Sequence, residues 1–216
     1  MEDSRVLRSR IDHIVVAAPS LESGVDYVRE ALGVTPQPGG EHLRMGTHNY
    51  FVKLGEKLYL EVISVNPSAP RPDRPRWYGL DESIPAPRLI TWIARSESIR
   101  AAAATSPTPL GKVEPMSRGN LNWLITIPED GSLPLHGIAP TLIEWPPGIH
   151  PADSLADKGC SLVGLEGFHS DAARVRGVLS AIGFEGEFSV SPLPQGERPY
   201  LVATILAPAG RRQLCG

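Results

Sequence analysis

The stretch Arg10–Val34, RIDHIVVAAPSLESGVDYVREALGV, contains the structural unit that the rest of the chain repeats. Residues 11–18 form a β-branched, apolar run, which predicts a buried strand. Ser20 then offers a helix N-cap and Gly33 a C-terminal stop. Between them, apolar residues recur at helical spacing: Leu21, Val25, Val28 and Leu32. The stretch therefore predicts one strand followed by one helix.

The next segment completes this unit with strands. A turn-rich connector at residues 36–40 leads into HLRMGTHNYFVKLGEKLYLEVISV at residues 42–65. The short Gly-Glu-Lys at residues 55–57 separates two apolar runs and is typical of a hairpin. The first 65 residues thus predict the order β-α-β-β-β.

The same order of strand, helix cap, helix and glycine stop recurs near the end of the chain. In SLVGLEGFHSDAARVRGVLSAIGF, at residues 161–184, Ser170 stands as far from Gly183 as Ser20 stands from Gly33. Further on, ERPYLVATILAP echoes EKLYLEVISVNP, which matches Val202 with Glu61. Internal repetition of this kind indicates architecture more strongly than any single element does.

A looser copy lies between these two. LITWIAR predicts a strand, Ser96 is the expected cap of an alanine-rich helix that ends at Thr105, and KVEPM, LNWLITIP and APTLIEWP predict further strands. We therefore predict an α+β fold of repeated βαβββ modules at residues 10–66 and 87–147, with a partial βαββ module at residues 159–209. Two proline-rich linkers join them, and the first carries the adjacent aromatics Trp77 and Tyr78.

Composition and missing motifs exclude several functions. With a net charge of −3 and dispersed basic residues, the 216-residue chain lacks the electrostatic pattern of a nucleic-acid binder. No apolar stretch reaches the roughly 20 residues that cross a bilayer, so no membrane partner and a cytoplasmic location are expected. Cys160 and Cys215 stand far apart and predict neither a disulfide framework nor a thiolate zinc site. The absence of GxSxG, GxxxxGK[ST] and GxGxxG disfavours serine hydrolases and any nucleotide cofactor.

Three charged residues interrupt apolar runs in DHIVVA, YLEVI and TLIEW: His13, Glu61 and Glu144. A buried carboxylate is costly unless it is paired or binds a metal. One imidazole and two carboxylates would suit a divalent cation with open positions for substrate. The alternatives are a capping or surface role for His13, an edge strand that exposes Glu61, and solvent exposure of Glu144 at a strand end.

Repeated βαβββ modules, with a histidine on the first strand and a glutamate on the last, resemble the vicinal oxygen chelate superfamily, which includes glyoxalase I, extradiol dioxygenases and bleomycin-resistance proteins. Four segments are similar to its glyoxalase-like domain branch: GGEHLRMGTHNYFVKLGEKLYLEVISV, RWYGLD, SRGNLNWLITIP and PTLIEWPPGIHP. The likeness runs from about Ile11 to Gly183 and beyond. It implies an incomplete, cupped β-barrel formed by paired modules.

The resemblance also implies a divalent metal, Mn, Fe, Ni or Zn, held by His13, Glu61 and Glu144. If the reaction involves proton abstraction, Glu144 is the candidate catalytic base, because the ligand that would accompany it in its module is missing. Where the superfamily has a fourth ligand, LITWIAR offers only Thr91 and Trp92. The C-terminal copy has Val163 and Val202 at the matching positions and is assigned a structural or lid role.

Further residues are candidates for substrate binding. Asn49, beside His48 in GTHN, resembles a position that the family keeps, and it either donates to a substrate oxygen or closes a turn. Arg118 either binds a carboxylate or faces solvent in its Gly-Asn turn. Three tryptophans either line an apolar pocket or pack in the core: Trp77, Trp92 and Trp123.

The leading hypothesis is a metal-dependent lyase, isomerase or dioxygenase that acts on a small molecule with vicinal oxygens. The alternative is a metal-free protein that binds or sequesters a small molecule, as bleomycin-resistance proteins do. Because both paired modules lie in one chain, either a monomer or a homodimer would complete the barrel.

Overall fold

The computed structural model describes residues 7–194 and 196–216. In chain order the regular elements are β1 (Ser9–Ala17), α1 (Leu21–Leu32), β2 (Gln37–His42), β3 (Thr47–Gly55), β4 (Leu58–Val65), β5 (Arg88–Ser96), α2 (Ile99–Thr105), β6 (Lys112–Arg118), β7 (Leu121–Ile127), β8 (Thr141–Glu144), β9 (Ser161–His169), α3 (Ala172–Ala181), β10 (Phe188–Pro192), β11 (Tyr200–Ala207) and β12 (Gly210–Cys215). No helix in these ranges is long and apolar enough to cross a membrane.

The first eight strands form one mixed sheet in the order β2-β3-β4-β1-β5-β8-β7-β6. Within each half, the first strand of the module pairs in parallel with the last, β1 with β4 and β5 with β8. The halves join through the antiparallel β1–β5 pair. The sheet curls until its edge strands β2 and β6 contact each other. The prediction of an α+β fold with paired βαβββ modules in a cupped, incomplete barrel is confirmed.

The curled sheet has two apolar faces, because successive residues of a strand point to opposite sides. On β1, Ile14 and Val16 pack into the cluster on the helix side. Val15 and Ala17 pack into a second cluster on the concave side, which we call the cup. Every residue from His13 to Ala17 is buried, so β1 lies at the centre of the molecule.

The ends of α1 form as its sequence predicts. The Ser20 hydroxyl accepts from the Ser23 backbone N–H, and the Ser23 hydroxyl accepts from the backbone N–H of Ser20. Gly33 takes a left-handed conformation, with φ of 72°, and its N–H donates to the carbonyl of Arg29. This reciprocal cap and the glycine stop fix the two ends of α1, which packs against β4.

The other two helices begin later than predicted. Ser96 is the last residue of β5, and the helix α2 starts at Ile99, whose N–H donates to the Glu144 carboxylate. The cap of α3 is Asp171, not Ser170, because the Asp171 carboxylate accepts from the N–H of Arg174. In both cases a carboxylate satisfies the first N–H groups of the helix.

The C-terminal segment forms its own four-stranded sheet in the order β10-β9-β11-β12. Its strand β11 runs antiparallel to β9, whereas β4 runs parallel to β1. Val202 and Glu61, which the sequence repeat matches, therefore do not occupy equivalent positions in the two sheets. Trp92 of β5 packs against Phe184 and Phe188 of this segment and is fully buried.

Residues 66–87, the strap, connect the two modules across the cup. Trp77, Tyr78 and Leu80 are buried in the apolar cluster of the cup. The strap is fixed to the second module because Arg74 donates two hydrogen bonds, of 2.9 and 2.7 Å, to the Glu114 carboxylate. The N–H of Gly79 also donates to the carbonyl of Gly131 at 2.8 Å. The first proline-rich linker is thus an ordered cover over the cup.

A candidate active site in the cup

A small cavity of about 20 Å³ lies in the cup, between the sheet and the strap. A cavity of this size holds about one water molecule. Its polar lining comprises His13, His42, Tyr59, Glu61 and Arg118, and its aromatic lining comprises Trp77, Tyr78, Trp123 and Trp145. Ionisable and aromatic side chains therefore line the same small cavity.

His13 and Glu61 form a buried pair at this cavity. Nε2 of His13 lies 3.6 Å from Oε2 of Glu61, and both side chains are almost fully buried. His13 also stacks on the ring of Tyr59, with centroids 4.5 Å apart. Strands β1 and β4 run parallel with His13 paired to Tyr59, so the carboxylate two residues along β4 comes close to the imidazole.

Asp12 holds the other side of the imidazole. Its Oδ1 lies 2.7 Å from Nδ1 of His13. Neighbouring residues of a regular strand face opposite ways, but the register of β1 against β5 shifts between Ile11 and His13. A β-bulge of this kind redirects side chains, which accounts for Asp12 and His13 meeting. The result is a chain of carboxylate, imidazole and carboxylate: Asp12, His13 and Glu61.

Asp12 is itself enclosed by donors from the second linker. Nε2 of His150 and Nε1 of Trp145 each lie 3.0 Å from its Oδ2. Although burial alone raises the pKa of Asp12, its hydrogen bonds with His13 and His150 hold that pKa well below the ordinary 3.8. Asp12 is therefore an ionised anchor that orients His13.

His13 and Glu61 each stabilise the charged form of the other. Burial alone lowers the pKa of His13, but hydrogen bonds and charge from Asp12 and Glu61 raise it above the ordinary 6.5. Burial alone raises the pKa of Glu61, but the hydrogen bond and charge of His13 bring it down to about 2. The pair therefore holds its proton on the imidazole, with Glu61 as the carboxylate.

A second group of side chains continues from Glu61. Nδ2 of Asn49 donates to Oε1 of Glu61 at 2.5 Å and lies 3.3 Å from Nε2 of His42. Nδ1 of His42 lies 3.0 Å from the hydroxyl of Thr47. Burial lowers the pKa of His42 to about 4, so this imidazole is neutral at pH 7. The cavity thus contains one charged and one neutral histidine.

Several polar atoms beside the cavity lack a protein partner. The indole Nε1 atoms of Trp77 and Trp123, two residues that line the cavity, are buried without a hydrogen-bond partner among the described residues. A buried unsatisfied donor costs about 1–3 kcal/mol. Unpaired groups at a cavity wall are suited to a ligand that supplies the missing partner.

Arg118 contributes a positive charge at the same wall. Its guanidinium lies 4.6 Å from the centroid of Phe51, as in a cation–π contact. No carboxylate lies within ion-pair distance of it in the part of the chain that the structure describes. The guanidinium is therefore available to an anion.

The other predicted site residues lie elsewhere. Glu144 is on the helix side of β8, where its carboxylate accepts the Ile99 N–H, because Ile143 and Trp145 take the alternate positions that face the cup. Trp92 packs away from the cavity, as described above, and Nε2 of His48 lies 2.8 Å from the hydroxyl of Ser64. The structure brings together His13, Glu61, Asn49, Trp77, Arg118 and Trp123, and it does not bring Glu144, Trp92 or His48 to them.

The donor set does not complete the expected metal centre. His13 and Glu61 are close enough to share an ion, but Glu144 faces the opposite side of the sheet. Across residues 7–194 and 196–216, no three His, Cys, Asp or Glu side chains are grouped so that they could hold a metal ion. The residues present do not fit the three-ligand site that the resemblance implies.

Sequence reasoning missed four residues of the site: Asp12, His42, Tyr59 and His150. The acid directly before His13 was visible in DHIVVA, but the bulge that turns it toward the imidazole was not. His150 lies in the second proline-rich linker, and its contact with Asp12 joins residues 138 positions apart. Only the folded chain reveals a pairing over that distance.

Comparisons with known proteins agree with this fold. The family model of a glyoxalase-like domain matches residues 11–183. A hypothetical protein from Staphylococcus aureus is similar at a TM-score of 0.56 and 11% identity, over 95% of this chain and 84% of that chain. No curated protein matches the chain.

Two further solved structures are similar at lower scores. The Mn(II)-bound glyoxalase from Novosphingobium aromaticivorans has a TM-score of 0.46 at 7% identity, over 94% of this chain and 80% of that chain. Methylmalonyl-CoA epimerase from Mycobacterium tuberculosis has a TM-score of 0.45 at 17% identity, over 68% and 94%. The family match over residues 11–183 confirms the resemblance to the glyoxalase-like domain branch.

Proposed function

Because this chain belongs to the glyoxalase-like domain family, we propose that it is an enzyme that transfers a proton on a small, oxygen-bearing molecule in the cup. The reaction class is isomerisation or elimination beside a carbonyl group. Fold alone does not fix a reaction, so the proposal depends on the site. The observation that carries it is the buried His13–Glu61 pair, backed by Asp12 and facing a cavity.

The pair supplies an acid and a base in adjacent positions. The His13 imidazolium donates its Nε2 proton to a substrate carbonyl oxygen, while the Glu61 carboxylate takes a proton from the neighbouring carbon. The product of this step is the enol, with neutral His13 and protonated Glu61. In an isomerisation, protonated Glu61 gives its proton to a different carbon while an enol hydroxyl returns a proton to His13. In an elimination, the leaving group departs with the Glu61 proton while the enol hydroxyl returns its proton to His13, so either route restores the pair.

Burial and preorganisation support this assignment. Two titratable groups whose pKa values are pushed far apart are typical of acid–base sites. Asp12 fixes the ring so that Nε2, not Nδ1, faces Glu61. The unpaired indole N–H groups of Trp77 and Trp123 are further donors for charge that develops on oxygen.

A binding protein without catalysis is the second candidate. The aromatic walls of the cavity favour it, since aromatic side chains bind the apolar part of a small molecule without any reaction. The two candidates differ in one respect. A binding protein retains ligand affinity and shows no proton exchange.

We also propose a cytoplasmic monomer. Both modules of the cup come from one chain through the β1–β5 pair, so a second copy is not needed to form the site. Cys160 and Cys215 are free thiols, as is usual in a reducing compartment. Sedimentation at micromolar concentration tests the oligomeric state.

Deuterium uptake tests the catalytic proposal without knowledge of the full reaction. The protein is incubated in D₂O with 2-oxobutanoate, whose C3 protons lie beside a carbonyl, and loss of the C3 signal is followed by proton NMR. We expect wild-type protein to accelerate the exchange and Glu61→Gln to reduce the acceleration by about 10²–10⁴-fold. Asp26→Asn, a surface change of the same type, should exchange at the wild-type rate.

If wild-type protein and Glu61→Gln exchange deuterium equally, the acid–base proposal is wrong. If 2-oxobutanoate binds the wild-type protein with no exchange at all, the binding-protein candidate replaces it.

A further inference from the structure

A second, larger cavity lies at the seam where the edge strands β2 and β6 meet. It has a volume of about 420 Å³, within the usual size of a small-molecule pocket. We call it the seam cleft; its main walls are Gln37–Glu41, Leu43, Phe51, Leu121 and Leu155. Most of its side chains are apolar.

Arg118 belongs to the lining of both the seam cleft and the small cavity with His13 and Glu61. Its side chain passes along β2 where that strand has no side chains to obstruct it. A Cβ at Gly40 would come within 3.1 Å of Cδ of Arg118, and φ of Gly40 is +153°. The guanidinium therefore separates an apolar outer cleft from the polar inner cavity.

Two observations indicate the ligand class. Arg118 has no carboxylate at ion-pair distance among the described residues, and Nε1 of Trp123, in a side chain that is 94% buried, lacks an acceptor. At the outer end, Leu43 lines the cleft although it is 75% exposed. The inner end thus offers a guanidinium and an indole N–H that have no protein acceptor, and the outer end lacks an apolar cover.

We propose that the seam cleft binds the apolar tail of an amphiphilic carboxylate whose head group is held by Arg118 and the indole N–H of Trp123. This inference rests on the proposed function, since it names the class of molecule that is presented to His13 and Glu61. Guanidinium groups bind carboxylates with two parallel hydrogen bonds, which fixes the head and directs the tail outward along the cleft.

Calorimetric titration of the whole protein tests the inference with octanoate, butanoate and 1-octanol. Each methylene that enters the cleft should tighten binding by roughly threefold, so octanoate should bind far more tightly than butanoate. Arg118→Gln should weaken octanoate binding by roughly ten- to hundredfold and leave 1-octanol unchanged. Arg211→Gln, an exposed change on β12, is the matched control.

A second variant tests the tail site by itself. Leu43→Asn alters an exposed side chain and should weaken octanoate by roughly threefold while butanoate is unaffected. Equal affinity for octanoate and butanoate would overturn the tail site. An unchanged octanoate affinity in Arg118→Gln would overturn the head site.

These results are separate from those of the exchange experiment. Octanoate binding that follows chain length and Arg118, together with no deuterium uptake from 2-oxobutanoate, would uphold the cleft and refute only the proton transfer. Deuterium uptake without selective octanoate binding would refute only the cleft.

Discussion

Replacing Asp12 with asparagine tests how the site is held together. Asp12 is fully buried and has three partners: His13 at 2.7 Å, and His150 and Trp145 at 3.0 Å. Asparagine keeps the shape and one oxygen, but its amide nitrogen would meet a donor and its charge is absent. Removing one partner of a buried ion pair costs about 3–5 kcal/mol. We expect Asp12→Asn to lower the free energy of unfolding by about 4 kcal/mol, or Tm by about 12 °C.

The pH dependence of this loss has a defined sign. The pKa of Asp12 is lowered by folding, so its contribution to stability is present above about pH 3.8 and is lost as the pH falls further. The pKa of His13 is raised by folding, so its contribution is complete below about pH 6.5 and is lost as the pH rises through the folded value. The difference between wild type and Asp12→Asn should therefore be largest between about pH 4 and 6.5.

Urea unfolding followed by tryptophan fluorescence at pH 5.5, 7.0 and 8.5 measures this difference. Asp26→Asn is the control, because its ion pair with Arg29 is largely exposed and should contribute less than about 1 kcal/mol. A loss below about 1 kcal/mol in Asp12→Asn at pH 5.5, or a loss that grows toward pH 8.5, would show that Asp12 does not stabilise the fold through its ion pair with His13.

Three further predictions concern residues around the site. Glu144→Gln should destabilise the protein by about 1 kcal/mol through the weaker cap on α2, and leave deuterium uptake unchanged; a loss of uptake would return Glu144 to the catalytic site. Gly131→Ala should cost about 3 kcal/mol in urea unfolding, because φ is +72° and the Cβ would lie 2.1 Å from the carbonyl oxygen of Arg76, whereas the control Gly148→Ala, at +76° with open space around it, should cost about 1 kcal/mol. Addition of Mn²⁺ or Zn²⁺ should shift Tm by less than about 2 °C, because His13 and Glu61 are only two ligands; a large shift that disappears in His13→Gln would indicate a metal site.

Much of the fold follows from local signals in the sequence. The helix α1 has a serine at its start and a glycine at its end, and its register is set by apolar spacing, so its bounds are predictable. The module repeat is visible for the same reason. The starts of α2 and α3 are less predictable, because serines near both helices compete as caps with Glu144 and Asp171.

The sequence predicts only those site residues that carry a charge within an otherwise apolar, buried strand. His13 and Glu61 stand out because charged residues interrupt apolar runs, and both lie in the cup. Glu144 also interrupts an apolar run, but it lies on the other face of its strand. Successive side chains of a strand point to opposite faces. A shift of one residue between the similar segments Leu60–Val62 and Ile143–Trp145 therefore moves the glutamate from the cup to the helix side.

The remaining site residues depend on long-range geometry. A bulge turns Asp12 toward His13, the second linker brings His150, and the strap delivers Trp77. No repeating pattern in the neighbouring sequence predicts these positions. They are fixed by which segments pack together once the sheet curls.

Whether His13 is the charged, substrate-facing acid of the site is tested by a pH titration of His13 by ¹⁵N NMR in histidine-labelled protein, with and without 2-oxobutanoate. We expect a pKa of His13 above 6.5 that falls in both Asp12→Asn and Glu61→Gln, and a His13 signal that shifts when 2-oxobutanoate is added. A pKa of His13 that is the same in wild type and both variants, with no response to the ligand, would contradict this expectation.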